Sequence, residues 1–375
     1  VVIDTYTAPK WRTTSTRIIS RDALENVNKT MLWVDNERDL ENEMRDPWIY
    51  DHLAYHQFGS KVKLAHVYAG TFSESVKKLK NNGAIVTYTA AAHDVELSRK
   101  EHEKLGIPYS FPHLTDPKLW MRYLDGYKRA DAIICPSKHS ADVMRAFGAT
   151  NRIEVIPHGV ELPKEVTPLP KRFTIGYLGA VGPDKGLIYL LQAWKKLNYP
   201  AEEATLVLAG KDSQSSFVQQ LIHLAYGGRD NCHWVGGTFG MGDNFFVTAL
   251  GDRAKVFLLG WVDNVADFYD NITFLVQPSI TEGFGIEVLE AMAHGRPVVC
   301  STGAGAADVV PLGPGLTQYT VHAGDSDDLA NVIDGHYRNR TESWVSGGIN
   351  CVEAENYTWT KIRERYKNLW RELCH

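Results

Sequence analysis

Several kinds of signal are missing from this chain of 375 residues, and each absence removes a class of protein. No apolar run approaches the roughly 18 residues that a membrane-spanning helix needs. The five cysteines, at positions 135, 232, 300, 351 and 374, form no CxxC pair and no metal-type spacing with histidine. An odd, scattered set of this kind predicts reduced core thiols and a cytoplasmic setting. There is no basic excess: the formal net charge is −5, which argues against nucleic acid as a partner. No GxGxxG follows the first strand-like run and no GxxxxGK[ST] occurs anywhere, so neither a nicotinamide dehydrogenase nor a P-loop enzyme is expected. The opening "VVID" reads as a strand and not as a signal peptide.

What is present is alternation. With 44% apolar and 23% charged residues the composition is that of a folded globular chain, long enough for two domains with separate cores. In the first half, "TMLWVD", "VKLAHVYAG", "AIVTYTAAA" and "ADAIICPS" read as buried strands, separated by amphipathic stretches such as 73–81 and 98–105. The stretch 153–172 then carries four prolines, at 157, 163, 168 and 170, and little helical period. After it, "FTIGYLG", "ATLVLAG", "KVFLLGW", "ITFLVQPS" and "PVVCST" resume the pattern, with a helix through "GLIYLLQAWKKL". Apolar strands of this length, interleaved with helices, predict parallel sheets covered on both faces. The expected architecture is therefore α/β: a Rossmann-like domain over 1–163, a linker over 164–172, a second Rossmann-like domain over 173–355, and a C-terminal helix over 356–375. In doubly wound sheets ligands gather at the carboxyl ends of strands, and with two such domains the expectation is a cleft. The stretch 227–252, rich in Gly and Asp, reads as a long loop or insertion. The tail "YTWTKIRERYKNLWREL" has apolar residues at 359, 362, 366, 369 and 373, a helical stripe.

The most informative stretch is "SITEGFGIEVLEAMAHGRPVV", residues 279–299. A strand ends near Pro278, Gly283 and Gly285 turn the chain, and a helix is expected from Ile286 to Ala293. The free N–H groups at such a helix start attract a phosphate oxygen. Yet Glu282, Glu287 and Glu290 stand around the same point. Glu282 and Glu290 repel a phosphate but can accept hydrogen bonds from hydroxyl groups, and one carboxylate can take both protons of a vicinal diol. A ligand anionic in the middle and hydroxylated at both ends satisfies all of these groups, and a nucleotide diphosphate sugar has that shape. The alternative is that Glu282 serves the helix dipole and Glu290 is a surface residue. Glu287, one turn before Glu290, reads as solvated.

The pair Glu282 and Glu290, with "EGFG" and "EAMAHGRPVV" around it, resembles the E-x7-E signature of the retaining GT-B glycosyltransferases of family 4. "RADAIICPSKHSADVMRAFGATNRIEVIPHGVEL" and "IGYLGAVGPDKGLIYLLQAWKKL" are similar to other parts of that family, and the resemblance spans about residues 84–373. It implies a GT-B architecture of two Rossmann-like domains facing a cleft, with the C-terminal helix crossing back to the first. It implies further that Glu290 holds the donor ribose and that Glu282, Gly283, Phe284, Gly285 and Ile286 lie near the donor sugar and phosphates. Gly179 would let the donor approach the backbone, and Lys185 would pair with the diphosphate and stabilise it as it leaves. His93 and Asp94, at a strand end, would face the donor sugar or acceptor. Glu282, His93 and Lys185 are the catalytic candidates. The partners implied are a nucleotide diphosphate sugar and a hydroxyl acceptor, with no cofactor, no metal and no nucleic acid; a lipid-linked acceptor would go with peripheral association at the inner face of a membrane.

Two departures matter. The family usually places Arg directly after the glycine that Lys185 follows, and here that position is Ala180; Arg296, Arg12 and Arg17 are candidate replacements. The family's first strand usually leads to a glycine pair, whereas "VVIDTYTAPKWRTTSTRIIS" has none, leaving Thr13, Thr14 and Ser15 as donors at the following helix. These departures keep two other readings open, a non-catalytic sugar-nucleotide binder and a GT-B sugar-nucleotide epimerase.

Overall fold

The aliphatic and β-branched runs form strands, and the chain between them winds into helices. The computed structural model describes residues 62–68, 73–90, 92, 94–107, 124–210, 213–227, 255–311 and 320–375, and strands at 2–4, 17–19, 31–32, 232–238 and 243–249. By internal contacts the chain divides into two compact units, Val1–Ala92, Ser110–Pro157 and Arg363–His375 in one, and His93–Tyr109 and His158–Ile362 in the other.

Three short strands come first: β1 (Val2–Asp4), antiparallel to β2 (Arg17–Ile19) and parallel to β3 (Met31–Leu32). Then follow β4 (Leu64–Tyr68), α1 (Ser73–Asn81), β5 (Ile85–Thr89), α2 (Val95–Lys104), β6 (Ala132–Cys135), α3 (Lys138–Ala146) and β7 (Arg152–Val155). β4 to β7 make a four-stranded parallel sheet in chain order. Side chains alternate across it, as the pleat requires. One face carries Ala65, Val67, Val86, Tyr88, Ile133 and Cys135 into an apolar core with Leu79, Ala141 and Met144. On these strands His66, Thr87 and Thr89 are also buried, and they are polar.

Further along come β8 (Phe173–Leu178), α4 (Leu187–Leu197), β9 (Ala204–Ala209), α5 (Ser216–Tyr226), β10 (Cys232–Thr238), β11 (Asp243–Ala249) and β12 (Lys255–Gly260). After them the chain forms α6 (Val265–Asp270), β13 (Phe274–Gln277), α7 (Ile286–Ala293), β14 (Val298–Ser301), β15 (Thr320–Val321), α8 (Ser326–Arg338), α9 (Arg340–Ala354) and α10 (Trp359–Leu373). The sheet order is β10-β11-β12-β9-β8-β13-β14-β15. From β12 to β15 the neighbours are parallel, whereas β10 and β11 form an antiparallel hairpin that extends the edge. Within 227–252, expected to be a long loop or insertion, Cys232–Thr238 and Asp243–Ala249 are strands: "CHWVGGT" and "DNFFVTA" are rich in β-formers, which the many glycines of the stretch mask in the sequence.

Both faces of this sheet are apolar. Ile175, Tyr177, Leu206, Leu208, Phe274 and Val276 pack with α4, α5 and α8, and Val207, Ala209, Leu275, Val298 and Cys300 pack with α6 and α7. Starting from β8, the chain adds strands on one side through β9 to β12, then turns to the other side with β13. The order therefore reverses between β8 and β13, and in open α/β sheets the crevice at such a reversal, beyond the strands' carboxyl ends, is where ligands bind.

The C-terminal helix α10 continues from one unit to the other. Its residues from Arg363 group with the first unit, where the rings of Tyr366 and Trp370 each lie 5.6 Å from that of His66. Trp370 Nε1 donates to Thr87 Oγ1 at 3.2 Å, so the helix closes the polar side of the four-stranded sheet. Residues 164–172 adopt no regular element. Arg296 donates to the carbonyls of Thr167 at 2.9 Å and Pro168 at 3.3 Å, and Arg340 to that of Pro170 at 2.7 Å. Among the described residues no helix is long and apolar enough to cross a membrane.

Candidate functional site

The carboxyl ends of β8 and β13 supply the site, as the reversal of strand order leads one to expect. β8 runs out at Gly179, whose N–H donates to Ala209 O at 3.1 Å. Its φ is +150°, and a Cβ there would stand 3.5 Å from Glu287 Oε1 and 3.8 Å from the Tyr177 hydroxyl. The strand end thus opens directly on a carboxylate. A 3₁₀ turn, Pro183–Lys185, follows and closes on Gly186. At φ +67°, a Cβ on Gly186 would lie 2.0 Å from Pro278 O, so only glycine lets this turn rest on the end of β13. The carbonyl of Asp184 accepts from Ile280 N–H at 2.7 Å, which fixes the same approach.

That backbone contact brings together two residues 97 positions apart: Lys185 Nζ donates to Glu282 Oε2, and the pair is mostly covered, with 23% and 19% of the two side chains exposed. Burial is the largest influence on Lys185 and lowers its pKa, but Glu282, Glu287 and Asp184 together outweigh it and the ammonium is held charged. The Glu282 backbone is stitched to the turn after β14. Its N–H donates to Gly303 O at 2.9 Å, its carbonyl accepts from Gly305 at 3.0 Å, and Phe284 O accepts from Ala306 at 2.6 Å. The Phe284 side chain is buried edge-on against His158, with ring centroids 5.1 Å apart. Burial holds the His158 ring neutral, with a pKa down to about 4, against the opposing pull of Glu282.

Helix α7 begins at Gly285 with no side-chain cap, and in its first turn the Val288 N–H donates to Gly285 O at 3.1 Å. Ile286 is exposed at that start, while Val288, Leu289 and Met292 turn into the core. Glu287 and Glu290, three apart, share one side of the helix. Glu290 accepts a hydrogen bond from the buried Tyr269 hydroxyl at 2.7 Å. Burial raises the Glu290 pKa and the Tyr269 bond opposes the rise. Glu287, read from sequence as solvated, is instead drawn into the site. Burial first, and then Glu282, push its pKa up to about 7 against the pull of Lys185 and of its own backbone amide. The helical periodicity could have shown this, because a residue three before Glu290 lies over the same crevice. The Tyr269 partnership had no such signal, as it joins separate elements.

Asp94 is at hand in a different role. Its carboxylate caps α2 by accepting from Leu97 N–H at 2.9 Å, and its own N–H donates to Thr281 Oγ1 at 2.7 Å, beside Glu282. His93 lies outside the described residues, as do Arg12, Thr13, Thr14 and Ser15, and for Arg17 only the strand is described. Arg296 does not stand in for the absent arginine at Ala180. It is fully buried, its guanidinium bonds to Thr167 and Pro168, and Asp270 lies 3.6 Å away. Ala180 contributes a carbonyl that accepts from Tyr177 Oη at 2.8 Å.

Comparison with known proteins points the same way. The profile described as Glycosyltransferase Family 4 matches residues 66–164, and two profiles described as Glycosyl transferases group 1 match residues 161–240 and 239–339. The lipopolysaccharide core biosynthesis mannosyltransferase LpcC of Rhizobium leguminosarum bv. viciae is 29% identical over 217 residues, covering 55% of this chain and 54% of that protein. The sulfoquinovosyl transferase SQD2 of Arabidopsis thaliana is 25% identical over 318 residues, covering 77% of this chain and 56% of that protein. The chain thus spans little more than half the length of these curated relatives. Among solved structures, sucrose-phosphate synthase from Thermosynechococcus elongatus superposes with a TM-score of 0.67 at 20% identity, over 89% of this chain and 79% of that one. Anabaena HepE, solved in complex with UDP and glucose, gives 0.61 at 17% identity, over 88% and 83%. These likenesses are likenesses of fold.

Proposed function

The chain belongs to the GT-B glycosyltransferases of family 4, and on that premise we propose that it moves a hexosyl group from a nucleotide diphosphate sugar to a hydroxyl acceptor with retention of anomeric configuration. The observation that carries the reading is the convergence of Lys185, Glu282, Glu290 and the uncapped start of α7 at the reversal of strand order. Each group has a chemical task. Glu290, oriented by Tyr269, accepts hydrogen bonds from the ribose diol. Glu282 accepts from the donor sugar's hydroxyls. Lys185 and the amides from Gly283 to Ile286 hold the diphosphate, whose negative charge grows as the glycosidic bond breaks.

In a same-face substitution, the bond between the anomeric carbon and the phosphate oxygen breaks as the acceptor oxygen approaches from the same side. The departing phosphate oxygen takes the acceptor proton, and no protein nucleophile is needed. A double displacement would use a carboxylate, and Glu282 is the candidate. In either route Lys185 does work that a divalent cation does in other transferases, which makes the proposed reaction metal-independent. Lys185 begins paired with Glu282, so donor binding exchanges one anion for another around a fixed ammonium.

Relatives described as a mannosyltransferase and a sulfoquinovosyl transferase, and a neighbour holding UDP and glucose, support a sugar nucleotide as donor. Ala180 favours one competing reading, a sugar-nucleotide binder without turnover, because a diphosphate there meets one cation fewer. Thermal-shift screening against UDP-, GDP- and ADP-sugars, followed by incubation with mixed hydroxyl acceptors and assignment of the product's anomeric configuration, tests the proposal. Stabilisation by a sugar nucleotide with a retained linkage in the product is the expected result. Stabilisation without transfer leaves the binder, and an inverted linkage overturns retention.

A further inference from the structure

Glu287 has no task in the reaction above, yet it stands where the donor's phosphates are expected. Its Oε1 lies 3.5 Å from the point a Cβ would occupy on Gly179, the residue that should let the donor approach the backbone. Its own backbone amide, a first-turn N–H of α7 next to those assigned to the diphosphate, draws its pKa down. Lys185, the proposed phosphate cation, also acts on it. Three features that recognise an anion therefore converge on an anion belonging to the chain itself. With Ala180 in place of arginine, Lys185 faces Glu282, Glu287 and Asp184, and the pocket is negative before any ligand arrives.

Resting on the donor reading above, we infer that Glu287 is an internal occupant of the diphosphate position, and that a donor binds preferentially when this carboxyl carries a proton. The neutral carboxyl can donate its O–H to a phosphate oxygen; the ionised carboxylate repels the donor. Donor binding accordingly takes up one proton, which the solvent supplies. The groups facing Glu287 are Glu282 before α7, Lys185 on the 3₁₀ turn, Tyr177 on β8, Tyr269 on α6 and Glu290 one turn along. Both tyrosines are held protonated by burial, Lys185 is held charged, and His158, beyond Glu282, titrates at about 4. Glu287, at about 7, changes state near neutrality, and the Glu290 pKa is raised as well.

The test is the affinity of the whole chain for UDP-, GDP- and ADP-glucose, whose diphosphate diesters keep a constant charge over the range from about pH 6 to about pH 8.5. For the wild type the Kd should be nearly flat at the acid end and rise up to about tenfold per pH unit at the alkaline end, the slope of one linked proton. Glu287→Gln, which keeps the shape and cannot ionise, should bind about as tightly at every pH and therefore exceed the wild type at about pH 8.5. Binding heats of the wild type in two buffers of different ionisation enthalpy should give uptake of about one proton, a readout that requires no variant. The same pH slope in both proteins, or no proton uptake by the wild type, overturns the inference and leaves the donor reading standing. Absence of binding by either protein at any pH overturns the donor reading instead.

Discussion

The four-stranded sheet of β4 to β7 and the eight-stranded sheet that begins with β8 use the same parallel strand, but they put their polar chemistry to different uses. In the smaller sheet polarity sits mid-strand: His66 bonds Thr87 Oγ1 at 2.9 Å and Thr89 Oγ1 at 3.0 Å, with Trp370 of α10 over them. In the larger sheet the strand bodies β8 and β9 are buried throughout, and the charged groups collect past the strand ends, at Lys185, Glu282, Glu287 and Glu290. A polar group mid-strand is enclosed by its neighbours, so its hydrogen bonds are spent on the fold. A polar group past a strand end is held by a turn and a helix start, so its remaining hydrogen bonds are available to a ligand. The same burial gives structural chemistry in one sheet and binding chemistry in the other.

Substitutions can break this contrast. The largest effect should come from Lys185→Ala, where turnover falls by about 10²–10³, the cost of one preorganised donor to a developing anion, and falls more than fold stability does. A variant with wild-type rate would move the phosphate cation elsewhere. Acid should act on the other sheet. Burial lowers the His66 pKa from 6.5 to about 3, so its contribution is fully present above 6.5 and is lost as pH falls towards 3. Between about pH 6.5 and pH 4 the wild type should lose about 2–3 kcal/mol more than His66→Gln, measured by denaturant unfolding.

Smaller effects sharpen the comparison within the site. Glu290→Ala should weaken donor binding by about 1.5–3 kcal/mol through lost hydrogen bonds to the ribose, read by calorimetry, and unchanged affinity would refute the ribose assignment. Glu287→Gln should raise the ligand-free melting temperature above neutrality. The folded pKa of Glu287 lies above its ordinary value, so the folded state is favoured at low pH and loses stability as pH rises to about 7. Removing the charge should recover about 1–2 kcal/mol there, and a variant less stable than the wild type at about pH 8 would show that the carboxylate is well solvated.

Much of this was legible beforehand. The strands "FTIGYLG", "ATLVLAG" and "ITFLVQPS" announced themselves because a strand buried on both faces must be apolar throughout. Glu282 and Glu290 were legible by their spacing around a helix start. The hairpin β10–β11 was not, since its glycines mimic a loop until pairing with β12 supplies the missing partner. Glu287 was misread because the chemistry of a helical carboxylate depends on what lies across from it. Gly179 and Lys185, more than a hundred and about a hundred residues earlier in the chain, are what turn it from a surface group into part of the site. Arg296 was misread for the complementary reason, as a guanidinium that looked available and is spent on carbonyls.

That last arrangement decides where the chain can be severed. A fragment opening at Phe173 would retain the whole eight-stranded sheet but discard Thr167 and Pro168, stranding the guanidinium of Arg296 in a fully enclosed place with its carbonyl acceptors gone. Of its partners Asp270, 3.6 Å away, would remain, and each lost hydrogen bond to the charged group costs about 1.5–3 kcal/mol, a large part of the stability of an ordinary domain. The excisable piece starts upstream of the prolines, which makes the irregular stretch before β8 the first structural element of that half and not a tether to be trimmed.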